Sequence, residues 1–297
     1  MKRRLTVIIL IIVIFATQLF SQNYKVEKSK FVYKTVDGIS LEMTMYKPQE
    51  LSHLKLSAIV FFFGGGWVSG DPGQFQFQAE YLASRGMVAF CPDYRTKSRH
   101  STTPFESVKD AKSAIRYLKI HGEDLGIDIN KIVASGGSAG GHLAACAAVI
   151  DNINETTDDL SVSSVPNMLV LFNPVVDTGK KGYGQEKLAG REFELSPVHH
   201  ITPNVPETLI MHGKADTTVP YENVHRFNYL MKQQGNKSTL VGYKKQAHGF
   251  FNYSKSHKYF KKTLLKTESF LDEKNLLKGK SWVGEYSKGL SRNHSML

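Results

Sequence analysis

From Ala58 to Phe63 the chain reads Ala-Ile-Val-Phe-Phe-Phe, six apolar side chains in a row, and then meets Gly64-Gly65-Gly66. A strand apolar on both faces must be covered on both sides, as in a parallel sheet flanked by helices. Met87 to Cys91, Lys131 to Ser135, Met168 to Phe172, Thr208 to Met211 and Ser238 to Tyr243 are further short strand patterns. Helical spacing fills the gaps, with Val108, Ala111, Ile115 and Leu118 in one and Val224, Phe227, Leu230 and Met231 in another. Strands alternating with helices build right-handed βαβ units, so the sequence predicts an α/β fold, a mostly parallel sheet with helices on both faces. Phe31 to Thr35 and Ser40 to Tyr46, joined across Asp37-Gly38, predict an antiparallel hairpin at one edge. With 41% hydrophobic residues in 297, the chain can bury the core of one such domain, and no fixed-period repeat suggests another architecture.

Three short segments carry chemistry. Gly136-Gly137-Ser138-Ala139-Gly140 follows the strand pattern Ile132-Val133-Ala134 and precedes an alanine-rich helical stretch running to Ile150. That strand–turn–helix context is what a serine nucleophile needs, because the tight turn exposes its hydroxyl at the start of a helix. A hydroxyl attacks only if a base takes its proton. His248, after the last strand pattern, is the expected base, and Asp216, just after Thr208 to Met211, is the expected orienting acid. Asp177 is the alternative acid. Gly65 and Gly66, after a strand and free of side chains, together with the N–H of Ala139, are the expected oxyanion donors. His142 and His212 are expected to pack or hydrogen-bond rather than react. No His-Glu-x-x-His, paired-cysteine or Gly-Lys-Ser/Thr motif is present, so neither a metal nor a cofactor is expected.

With these residues in place, the chain resembles the α/β-hydrolase superfamily, and within it the acetyl-esterase and hormone-sensitive-lipase-like serine esterases, including groups associated with polysaccharide degradation. The order serine, acid, histidine matches that superfamily. Cys91-Pro92-Asp93-Tyr94-Arg95, the segment Asp110 to Leu118, and Ser138-Ala139-Gly140-Gly141-His142 are similar to family segments, and the likeness runs from about Phe31 to Phe270. One departure is Phe63, which stands where those esterases often carry a histidine before the three glycines. The N-terminal helical cap of many relatives also has no counterpart here. The resemblance implies hydrolysis of short, acetyl-type esters on a small molecule or glycan. Trp67, Tyr94 and Tyr183 are expected to contact the sugar. The stretch from Asp177 to about Asn204 is expected to act as a substrate-contacting flap, through Tyr183, Phe193, His199 and His200. A prolyl-oligopeptidase-like peptidase, a long-chain lipase and a non-catalytic binding protein on the same fold are the competing readings.

The N-terminus reads as a targeting segment. Lys2, Arg3 and Arg4 precede an apolar run from Leu5 to Ala16, with a small residue at Ser21. The run is shorter than the roughly 20 residues of a spanning helix, so residues 1–21 are expected to be a cleaved signal peptide, leaving an exported chain with no stable membrane span. Loss of those three cations takes the formal charge from +11 to about +8. The excess lies after Tyr243, where a lysine-rich tail is expected to be a solvated face or to attract an anionic polymer. No nucleic-acid motif accompanies it. Cys91 and Cys146, the two cysteines, are expected to be buried thiols.

Overall fold

A computed structural model describes residues 23–294. The expected signal segment at 1–21 lies outside the described residues. The strands are β1 (Val26–Val36), β2 (Ile39–Pro48), β3 (Leu56–Phe62), β4 (Val88–Pro92), β5 (Ile127–Gly137), β6 (Met168–Phe172), β7 (Glu207–Gly213) and β8 (Ser238–Tyr243). They form one sheet in the order β1-β2-β4-β3-β5-β6-β7-β8, with β1/β2 and β2/β4 antiparallel and every later pairing parallel. The hairpin turns at Asp37 and Gly38, both at positive φ, which matches the right-handed twist of the two strands.

The α-helices are α1 (Gln76–Ser84), α2 (Lys97–His100), α3 (Pro104–Ile120), α4 (Gly122–Leu125), α5 (Ala139–Val149), α6 (Tyr221–Gln233), α7 (His257–Asp272) and α8 (Val283–His294). All seven residues of β3 are buried, as its unbroken apolar run requires. Its side chains alternate between two cores. Val60 and Phe62 belong to the core that holds Leu143, Leu171 and Phe227 on one face, while Ile59 and Phe61 belong to the core that holds Phe75, Val170, Phe260 and Leu264 on the other. Helix α3 starts with Pro104 at its first position and a reciprocal cap between Thr103 and Glu106, whose sequence spacing gives the reason it begins there.

Helix α5 is alanine-rich and buried along nearly its whole length, so it docks by small side chains rather than by one apolar stripe. Gly140 is required there by space, since a Cβ would lie 2.0 Å from the Phe62 carbonyl oxygen. That approach seats the start of α5 directly on the C-terminal ends of β3 and β5.

The basic C-terminal stretch ends in helix α8. The Trp282 indole N–H donates to Ser84 Oγ (3.0 Å), and the Tyr286 hydroxyl donates to the Phe77 carbonyl (2.8 Å). These aromatic anchors hold α8 over α1, so the region up to His294 is structured, with its lysines on the outer side. Both thiols are free and buried, as expected.

Candidate active site

Ser138 stands between β5 and α5 at φ +55°, ψ −118°, a left-handed conformation rarely adopted by a residue with a side chain. Such a turn costs on the order of 1–3 kcal/mol, and the surroundings enforce it. Ser138 N–H donates to the Phe172 carbonyl (3.0 Å), and the Ser138 carbonyl accepts from His142 N–H (3.0 Å) and Val175 N–H (3.2 Å). The turn thus points the hydroxyl away from the sheet. His248 Nε2 lies 2.8 Å from Ser138 Oγ, and His248 Nδ1 lies 2.7 Å from Asp216 Oδ2. Three residues separated by up to 110 positions therefore form one continuous hydrogen-bonded chain.

The acid is held from every side. Asp216 Oδ1 accepts from Thr218 N–H and Val219 N–H, both at 2.9 Å, and Oδ2 faces His248 and, at 3.3 Å, His212 Nε2. Burial opposes ionisation of this carboxyl. Hydrogen bonds from His212, His248 and the Val219 N–H outweigh burial and hold it well below the usual carboxylate range. Asp216 therefore remains an acceptor for an imidazole N–H across the neutral range.

A cavity of about 230 Å³ lies in front of the hydroxyl, lined among others by Gly65, Gly66, Ser138, Tyr183, Thr218 and His248. Gly65 has φ +135°, and a Cβ there would sit 2.0 Å from the Ser69 carbonyl oxygen, so only glycine fits. The N–H groups of Gly65 and Gly66 make no hydrogen bond among the described residues, whereas Gly64 N–H is taken by Gln74 Oε1 at 2.6 Å. Ala139 opens α5, where first-turn N–H groups have no intrahelical acceptor. The site thus presents a nucleophile, a base, an ordered acid and free backbone donors in one small cavity. That is the equipment for acyl transfer through a tetrahedral oxyanion.

The fold has counterparts among solved structures. An esterase from Thermogutta terrifontis, esterase 2 phosphoramylated by tabun, shares 45% identity, with a TM-score of 0.80 over 87% of this chain and 97% of the other. The chain belongs to the α/β-hydrolase serine esterases. The BD-FAE family model matches residues 43–179 of this esterase. A probable isoprenylcysteine alpha-carbonyl methylesterase of Arabidopsis thaliana is 26% identical over 69% of this chain and 48% of its own. The probable carboxylic ester hydrolase LipM of Mycobacterium tuberculosis is 28% identical over 57% of this chain and 43% of its own. The esterase therefore spans about half the length of these curated relatives.

Two of the three expected substrate contacts are corrected by burial. Tyr94 is fully buried, stacked on Phe63 with centroids 4.0 Å apart, and its hydroxyl donates to the Phe63 carbonyl (2.8 Å). It braces the glycine loop from behind. Trp67 is 1% exposed and packs edge-on against His142, so it supports the loop and offers no open face to a sugar. Only Tyr183 lines the Ser138 cavity. In the flap, three short 3₁₀ turns order the chain, and Phe193, His199 and His200 contact one another rather than the cavity. Asp177 is spent on Gly179 N–H (2.8 Å) and Arg226 (3.3 Å), away from His248. Arg95, in the Asp-Tyr-Arg segment, is bound to Asp110 (2.8 Å) and Glu155 (2.6 Å), and Lys34 joins both. That segment is scaffold.

Three positioning residues carry no motif. Gln74 fixes Gly64. Asn173, buried and at φ +35°, accepts from Gly249 N–H (3.0 Å) and so holds the loop beside His248. His212 touches Asp216 directly. The Asn173-Pro174 pair after β6 is a turn signal that would have pointed to the second; the other two had none. As expected, His142 is buried, bonding the Leu195 carbonyl at 2.6 Å.

Proposed function

We propose that this chain is an exported serine carboxylesterase that cleaves short acyl groups, of the acetyl type, from sugars or glycans. Ser138 Oγ attacks the ester carbonyl carbon while His248 Nε2 accepts its proton, and Asp216 keeps the ring oriented and balances the imidazolium. The N–H groups of Gly65, Gly66 and Ala139 receive the oxyanion. The carbon–oxygen bond to the alcohol then breaks, and the alcohol leaves with the proton carried by His248. Water, deprotonated by the same nitrogen, attacks the acyl-enzyme, and the Ser138 bond breaks to release the acid.

The observation that carries this reading is the Ser138–His248–Asp216 chain, at 2.8 and 2.7 Å, opening into a cavity of about 230 Å³. So small a cavity favours a short acyl group. The likeness to a Thermogutta esterase described as propionate-bound and as butyrate-bound supports the same size class. Export is supported by the charged and apolar N-terminal pattern, and glycan preference by the Tyr183 ring at the cavity wall.

A chain-length series of p-nitrophenyl esters tests the reading, with acetate release from acetylated sugars as the second substrate set. Ser138→Ala should lower turnover by at least about 10³-fold and abolish fluorophosphonate labelling, with the unfolding transition unchanged. Asp177→Ala should keep most activity. Preference for decanoate over acetate, or activity surviving in Ser138→Ala, would overturn the proposal.

A further inference from the structure

Beside the Ser138 cavity, and sharing Gly66 with it, lies a second cavity of about 460 Å³ lined by Trp67, Lys97, Thr103, Pro104 and Lys187 among others. Gly66 lines both, and Tyr183 lines the Ser138 side. Lys187 is held at that boundary. Its Nζ is 3.0 Å from the Tyr183 hydroxyl and 3.5 Å from the Gly66 carbonyl, over the Tyr183 ring at 4.4 Å and within 5.6 Å of the Trp67 centroid.

These partners are neutral. An ammonium has three N–H donors, and only the Tyr183 hydroxyl lies within ordinary hydrogen-bond distance. The nearest carboxylate, Glu186, is 3.8 Å away and 71% exposed, so water screens it. Other covered cations here are spent: Lys34, Arg95 and Arg116 on carboxylates, Lys112 and Lys119 on backbone carbonyls. Lys187, 22% exposed, keeps donor capacity at a cavity wall. Lys97 adds a second cation with no ion pair among the described residues, its backbone N–H tied to the Trp67 carbonyl at 3.0 Å.

We infer that this second cavity is an anion-recognising subsite, and that the preferred esters carry a carboxylate on the arm that crosses Gly66. The geometry is that of a sugar acid or aromatic acid whose ester carbonyl sits at Ser138. The Pro104 side of the cavity lies along the ring, and Lys187 with Lys97 meets the carboxylate. This rests on the esterase reading above and adds the charge of the substrate to it.

The test compares 3- and 4-acetoxybenzoate with their methyl esters, neutral but of the same shape, in full-length wild type, Lys187→Met, Lys97→Met and Lys187→Arg. The measured quantity is the kcat/KM ratio, anionic over neutral, in each variant relative to the same ratio in wild type, so that intrinsic leaving-group reactivity cancels. Lys187→Met should lower the ratio about tenfold, Lys97→Met by a smaller factor, and Lys187→Arg should restore most of it. The preference should also weaken from about 50 to 500 mM salt. Wild type that hydrolyses both members of each pair, with ratios unmoved by Lys187→Met and Lys97→Met, would overturn this inference alone. Wild type that hydrolyses none of the four would overturn the esterase reading and this one with it.

Discussion

Replacing His212 with leucine isolates a contact that no motif announces. His212 is fully buried, and its Nε2 lies 2.9 Å from the Val219 carbonyl and 3.3 Å from Asp216 Oδ2. Both neighbours are acceptors, so this nitrogen carries the proton and is shared between them. Leucine fills similar space but leaves two buried acceptors short of a donor. A hydrogen bond to a charged group is worth roughly 1.5–3 kcal/mol, and the long, shared geometry argues for the lower part, about 2 kcal/mol. For a chain of this size that is a fall in Tm of roughly 3–4 °C. The sign with pH follows from Asp216, whose folded carboxyl is held below its unfolded range by donors including His212. Its stabilisation is present above the unfolded value of about 3.9 and is lost as pH falls below it. Wild type and variant should therefore differ by a steady amount from pH 7 down to about 4, and converge only as pH falls through the folded value, well below the usual carboxylate range. Turnover of p-nitrophenyl butyrate should fall roughly tenfold, less than for loss of Asp216, because two backbone donors and His248 still hold the carboxylate. His212→Gln places an amide N–H near the lost nitrogen and should recover both quantities. Urea unfolding at several pH values, with kinetics at pH 7, measures all of this. A leucine variant equal to wild type in stability and turnover would refute the reasoning.

Tyr94→Phe removes the buried donor to the Phe63 carbonyl and should cost about 1–3 kcal/mol of unfolding free energy. Because that carbonyl immediately precedes the glycine loop, kcat should fall more than KM rises, which steady-state kinetics on short esters will read. His142, fully buried, is held down at about 4 by burial, only partly offset by its bond to Leu195. The neutral ring is thus the folded form, so its contribution is complete above about pH 6.5 and is lost as pH falls through about 4, by up to roughly 3 kcal/mol. Denaturant unfolding at pH 7 and 4.5 should show that loss, and His142→Gln should reduce it.

The catalytic candidates were legible because each sits at the end of a strand whose apolar run is legible. Once β5, β7 and β8 are recognised, Ser138, Asp216 and His248 fall at the same edge of the sheet. The aromatic residues were misread for the opposite reason. Trp67 and Tyr94 flank motifs in sequence just as Tyr183 could, and nothing local tells a ring that faces the cavity from one that props the loop from behind. Helix α8 was obscured by lysines, because its docking depends on Trp282 and Tyr286 finding α1, some 200 positions earlier.

By itself the sequence determined the alternation of strands and helices, the glycine positions and the candidates for the reacting groups, since these follow from local patterns and residue chemistry. Only the tertiary structure decided which acid meets His248, which side chains fix the oxyanion loop, and where an uncommitted cation stands beside it. Those outcomes depend on distances between segments far apart in the chain, and such distances exist only after the sheet has closed.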